Sequence, residues 1–125
     1  MTQEEKQLLL IDLCARLPYG VRMNVIRSNV TEVATYISPL NEEIWVNDAG
    51  AYVDVEEIRP YLRPKSSMTD EEKKTLNNIL EYQYCSDDSC MCEASDWLNE
   101  NHFDYRGLIP MGLALEAPEG MYKTE

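Results

Sequence analysis

A single histidine, His102, and a single phenylalanine, Phe103, serve a chain of 125 residues, and 11 Lys and Arg side chains stand against 23 Asp and Glu. One histidine excludes the paired-histidine metal motifs, and neither a Gly-rich phosphate loop nor a nucleophile elbow can be written from the sequence. The shortage of clustered bases disfavours direct binding to a nucleic-acid backbone, because phosphate contacts need grouped Lys and Arg. No apolar run approaches the length of a membrane span. The opening MTQEEKQLLLIDLC has no basic segment ahead of its apolar stretch and no small-residue cleavage site, so a cytoplasmic protein without a membrane partner is expected. In that setting the sequon Asn29-Val30-Thr31 reads as a turn into a strand.

What is present suits one folded domain over 1–125. Hydrophobic residues make up 44%, enough for a core and too many for wholesale disorder. The net charge of -12 keeps the chain soluble and would favour a basic protein partner.

Along the chain the hydrophobic period changes twice. Thr2 and Glu5 form a capping box, and Leu9, Leu10, Leu13, Cys14 and Leu17 then recur at helical spacing until Pro18 and Gly20 stop the helix. From Val21 the period is two. Val21, Met23 and Val25 predict a first strand, Val30 to Ile37 a second, Ile44 to Val46 a third and Ala51 to Val53 a fourth, with turns at Ser28-Asn29, Asn47 to Gly50 and Val55 to Ile58. Pro60 and Pro64 hold Tyr61-Leu62-Arg63 extended or in a turn. Thr69 and Glu72 cap a second helix with Leu76, Ile79 and Leu80 on one face and Tyr82 and Tyr84 near its end, and a short helix starts near Asp96. The tail Leu108 to Tyr122 is broken by prolines and glycines, yet too apolar to leave in water. The fold class is therefore α+β: an N-terminal helix, a four-stranded antiparallel meander or small SH3-like barrel, two helices and an extended docked C-terminal tail. The core should draw on Leu9, Leu13, Leu17, Val25, Val33, Trp45, Leu76, Leu80, Trp97, Leu98 and Phe103.

Two stretches carry candidate chemistry. Cys85, Cys90 and Cys92, with His102 beyond them, could make a tetrahedral zinc site, but the gaps are not those of a zinc knuckle. A Cys90 nucleophile with His102 as base and Asp104 orienting it is the catalytic variant. The simpler expectation is reduced thiols in a loop, with no cofactor and no metal. The second stretch is DWLNENHFDYRGLIP, where His102, Asp104 and Arg106 alternate with Phe103 and Tyr105. Were that segment extended, the three polar groups would share one face, as a hydrogen-bonded strap holding the tail or as a partner-binding edge. In the simplest case His102 and Asp104 fasten the end of a helix and Gly107 turns the chain away.

LLLIDLCARLPYGV, IRPYLRPKSSMTDEE and DWLNENHFDYRGLIPMGLALEAPEGMYK resemble a group of small uncharacterised proteins from gut Bacteroides-type bacteria and their phages or mobile elements. The resemblance implies an intracellular protein of bacterial or phage origin, and it carries over no catalytic or ligand residue. YQYCSDDSCMCEAS is not part of the shared wording, so a site built on Cys85, Cys90 and Cys92 would be private to this chain. Three functions stay open. The first is a small non-enzymatic interaction or accessory protein. The second is an acidic nucleic-acid mimic occupying a basic DNA-binding partner. The third is an enzyme or zinc site around His102 and the cysteines, with no catalytic residue assigned.

Overall fold

Thr2 starts the first helix as its sequence requires: its hydroxyl accepts from the Glu5 N–H at 3.1 Å while the Glu5 carboxylate accepts from the Thr2 N–H at 2.8 Å. The same reciprocal pair recurs at Thr69 and Glu72, at 3.2 and 2.9 Å. Each box satisfies donors that a helix N-terminus would otherwise leave unpaired. The computed structural model describes residues 1–46, 51–81, 89–118 and 120–122. Its elements are α1 (Gln3–Arg16), β1 (Arg22–Val25), β2 (Val30–Ser38), β3 (Glu43–Val46), β4 (Ala51–Asp54), β5 (Ile58–Leu62), α2 (Asp70–Glu81), α3 (Ser89–Glu100) and β6 (Leu115–Glu116). No helix among the described residues is long and apolar enough to cross a membrane.

The architecture is α+β, with β1 to β4 the expected antiparallel meander, but the sheet has six strands in the order β4-β3-β2-β1-β5-β6. The two additional strands come from segments that proline obscures. Pro60 lies inside β5, opposite Met23 of β1. The Ile26 N–H donates to the Glu57 carbonyl at 2.8 Å, which makes Met23 and Pro60 a non-hydrogen-bonded pair. The missing N–H of proline therefore falls on the far side of β5, where the parallel ladder to β6 begins only at Tyr61, and costs no bond to β1. Among the described residues no ladder joins β4 to β6.

β2 serves both halves of that sheet. Its residues 30–33 pair with β1 and residues 34–38 with β3, and the register shifts between Ala34 and Tyr36. Such a bulge switches which residues face inward. Ala34 and Ile37 are buried in consequence, whereas Val33, expected in the core, is exposed. Parity explains Trp45 as well: Ile44 and Val46 face the core, so Trp45 points to the opposite side and is only half-buried.

The core joins Leu9, Leu10 and Leu13 of α1 to Val21, Met23, Ile44, Val55, Ile58 and Leu62, and the tail closes it with Leu108, Leu113 and Ala114. Leu17 is half-buried at its edge, and Leu76, Trp97 and Leu98 are half-buried outside that cluster. Cys14 is exposed, on the opposite side of α1 from Leu9 and Leu13, and is not a core residue. α3 is longer than the short helix expected near Asp96. It begins at Ser89, so Cys90 and Cys92 are helical and not in a loop. The turn at Asn47 to Gly50, Tyr82, Tyr84, Cys85 and the side chains of Leu80, Cys90 and Cys92 lie outside the described residues.

Candidate functional site

α3 ends in a device that the alternating pattern of residues 102–106 hides. The Phe103 N–H donates to the Leu98 carbonyl at 2.9 Å and the His102 N–H to the Asn99 carbonyl at 3.0 Å, the two bonds of a Schellman cap. The cap requires a left-handed residue, usually glycine, and His102 takes it with φ of 59°. The segment is therefore not uniformly extended, and His102, Asp104 and Arg106 do not share a face. A non-glycine residue in this conformation costs about 1–2 kcal/mol. Its side chain must offset that cost.

The His102 ring is 3% exposed, stacked on Tyr122 with centroids 3.9 Å apart, and its Nε2 lies 3.1 Å from the Tyr19 carbonyl oxygen. A carbonyl only accepts, so Nε2 carries the proton and Nδ1 is the lone pair of a neutral ring. Nδ1 is buried, without a hydrogen-bond partner among the described residues. Burial, then the Arg16 charge, push the His102 pKa down to about 4. Asp104 goes elsewhere. Its two oxygens accept from the Leu108 and Ile109 N–H groups at 2.8 and 2.9 Å, fixing the turn into the tail. Gly107 takes the left-handed conformation that this turn needs, with φ of 78°.

Arg106 reaches back to α1. Its Nη1 lies 2.7 Å from Asp12 Oδ1, and the same carboxylate receives Arg16 Nε at 2.8 Å and Nη2 at 3.1 Å. Asp12 and Arg16 are both fully buried. Arg16 also donates to the Phe103 carbonyl, and the two guanidinium carbons sit 5.5 and 4.5 Å from the Tyr105 ring centroid. One carboxylate thus binds two arginines, a fork geometry suited to carboxylate oxygens. Reading the sequence for apolar stripes passed over this pair. The signal was there, since residues 9, 12, 13 and 16 lie on one helical face.

Arg63 follows β5 and holds the same segment from the other side. Its N–H donates to the His102 carbonyl at 2.7 Å and its carbonyl accepts from the Asp104 N–H at 2.8 Å. Its guanidinium lies 4.2 Å from the Phe103 ring centroid and makes a two-bond contact with the Glu72 carboxylate at 2.7 and 2.8 Å. That contact, ahead of all other influences, holds the Glu72 carboxyl below its usual range. A groove of about 880 Å³ opens beside Arg63, between Trp97, Glu71, Glu116 and Tyr122.

The chain was compared with protein-family models, curated proteins and solved structures. None matches. Among the described residues no group of three His, Cys, Asp or Glu side chains is placed to hold a metal. The Cys90 and His102 nucleophile-base pair and the zinc set both require cysteine side chains outside the description, but their histidine has its Nε2 committed to the Tyr19 carbonyl. His102, Asp104 and Arg106 face three different sets of partners, and none of the three lines the groove beside Arg63.

Proposed function

We propose that this chain is a small interaction or accessory protein without chemistry of its own. A single observation carries the reading: the polar side chains most suited to catalysis are engaged inside the fold, His102 on Tyr19, Asp104 on the 108–109 turn and Arg106 on Asp12. Each fastens one chain segment to another. A general acid or base needs a proton-bearing atom within reach of a substrate, and here such atoms face backbone or counter-charge. The partner favoured by a net charge of -12 is a basic protein, because opposite charge speeds encounter and lowers the energy of the complex. The resemblance of both ends to small proteins of gut Bacteroides-type bacteria, their phages and mobile elements fits an accessory role.

The acidic-mimic reading is a special case, in which the basic partner is a DNA-binding protein. Reconstitution tests the proposal. A protein captured by crosslinking to the tagged chain is remade in pure form and titrated at increasing salt. Stoichiometric binding that weakens with salt is expected. Turnover of a small substrate by the purified chain, lost in His102→Ala, would refute it.

A further inference from the structure

The outer face of the sheet carries a feature that neither the core nor the cap of α3 uses. Strand register sets Tyr36 opposite Trp45 and Trp45 opposite Tyr52, so three aromatic residues stand side by side across β2, β3 and β4. The Val55 N–H donates to the Glu42 carbonyl at 3.1 Å, which makes Trp45 and Tyr52 a non-hydrogen-bonded pair, the kind whose side chains approach most closely. Their ring centroids are 5.1 Å apart. Tyr36 and Tyr52 remain 59% and 55% exposed, a costly arrangement for three adjacent aromatic residues unless something covers them. Tyr and Trp are also the residues most often dominant in protein interfaces.

The chemistry next to the row says what would cover it. Glu43 and Asp54 are the next register pair on the same face, two carboxylates directly opposite each other. Like charges so placed repel. Asp54 Oδ1 accepts from the Glu56 N–H, and among the described residues neither carboxylate is in an ion pair with Lys or Arg. A guanidinium or ammonium group would answer both needs, lying on the electron-rich ring faces while neutralising the paired carboxylates. The backbone adds a direction. Among the described residues β4 ends the sheet order, and the same register turns the N–H and C=O groups of Tyr52 and Asp54 away from β3 toward the side that no described strand occupies, where an added strand would place alternate side chains opposite those two residues.

We propose that the Tyr36, Trp45 and Tyr52 row, with Glu43 and Asp54 beside it, binds an extended basic segment of a partner protein. Arg or Lys side chains at alternate positions of that segment lie over Tyr52 and against Asp54. This rests on the interaction-protein reading and adds its location and the chemistry of the segment recognised.

The probe is a short blocked peptide of alternating Arg and Thr, titrated into the full chain with amide and indole N–H resonances followed by NMR. A peptide with Gln in place of Arg serves as control. The indole N–H of Trp45 should shift while that of Trp97 stays, and the Gln peptide should have no effect. Tyr52→Ala, an exposed change that keeps the net charge, should weaken binding at least tenfold, and Glu43→Gln should make it less salt-sensitive. Binding of the Arg peptide that moves other resonances and ignores Tyr52→Ala would overturn the site and leave the interaction reading standing. If no Arg peptide binds, while oligothymidylate or a β-glucan oligosaccharide shifts Trp45, both the site and the basic-partner reading fall.

Discussion

The Arg16 guanidinium lies wholly buried against the Asp12 carboxylate one helical turn before it, Nε to Oδ2 at 2.8 Å, and through its Nη2 also holds the Phe103 carbonyl. Asp12→Ala would leave Arg16 buried without its counter-charge and release Arg106. The expected cost is about 3–5 kcal/mol, the usual penalty for breaking one side of a buried pair. Replacing both charges, as in Asp12→Leu with Arg16→Met, should cost less than Asp12→Ala alone. Urea denaturation of the three proteins checks this, and an Asp12→Ala variant within about 1 kcal/mol of the parent would contradict it.

At His102 the backbone and the ring pull in opposite directions. His102→Ala loses the ring stack and the Tyr19 bond while keeping the left-handed strain. His102→Gly loses the same contacts and relieves the strain, so it should be the more stable of the two by about 1 kcal/mol. Equal stabilities would mean that the cap conformation is not retained in solution.

His102 also makes stability depend on pH. Its pKa is lowered from 6.5 in the unfolded chain to about 4 in the fold, so the native state favours the neutral ring. A depressed histidine contributes its stability above the unfolded value and loses it as pH falls from about 6.5 toward 4, by up to about 3 kcal/mol. Protonation would place an unpaired Nδ1–H among the charges of Arg16, Arg22 and Arg63. Carboxylates titrate at the lower end of this window, so the measurement is the difference between the parent and His102→Ala. That difference should shrink as the medium becomes acidic. A gap constant from pH 7 to pH 4 would show that the ring is not held neutral.

Tyr122 fastens the far end of the chain. Its hydroxyl accepts from the Arg22 N–H at 2.8 Å and lies 2.8 Å from the Tyr61 carbonyl, and burial pushes its pKa up to about 12. Tyr122→Phe keeps the stack on His102 but strands two backbone groups, at a cost of about 1–3 kcal/mol. Amide exchange should speed up at Arg22. Unchanged protection there would show that the tail bond contributes little.

Phe103 is fully buried, stacked on Trp97 and covered by Arg63. Phe103→Ala should cost roughly 3 to 5 kcal/mol by denaturation, as for other aromatic cavities. A loss below about 1 kcal/mol would mean that the site collapses around the gap.

Much of this fold is legible in the sequence because local rules act alone there. Both capping boxes, the stop at Pro18 and Gly20, and the alternation of Val21, Met23 and Val25 all need nothing beyond near neighbours. Legibility ends where tertiary pairing decides. Pro60 marks a break by its own chemistry, and only the register against Met23 makes it harmless in a strand. Val33 reads as core until the bulge after Ala34 shifts the face of β2. His102 occupies a position where glycine is the ordinary signal, and the ring partners that permit it lie 83 residues back at Tyr19 and 20 residues on at Tyr122. No window centred on the histidine contains them. The wiring of residues 102–106 runs to α1, which the stretch itself cannot reveal.

Tyr122 reaches Arg22 across 100 residues, and Leu113 and Ala114 sit in the same core as Leu9. A ribosome delivers α1 and the meander first, with their hydrophobic faces still open. Those faces must wait for the tail that covers them, about a hundred residues after Leu9. A product cut short before Leu108, whether from a stalled ribosome or a premature stop, is therefore a chain with its core ajar, and the cell's quality control can read that defect directly as exposed apolar surface.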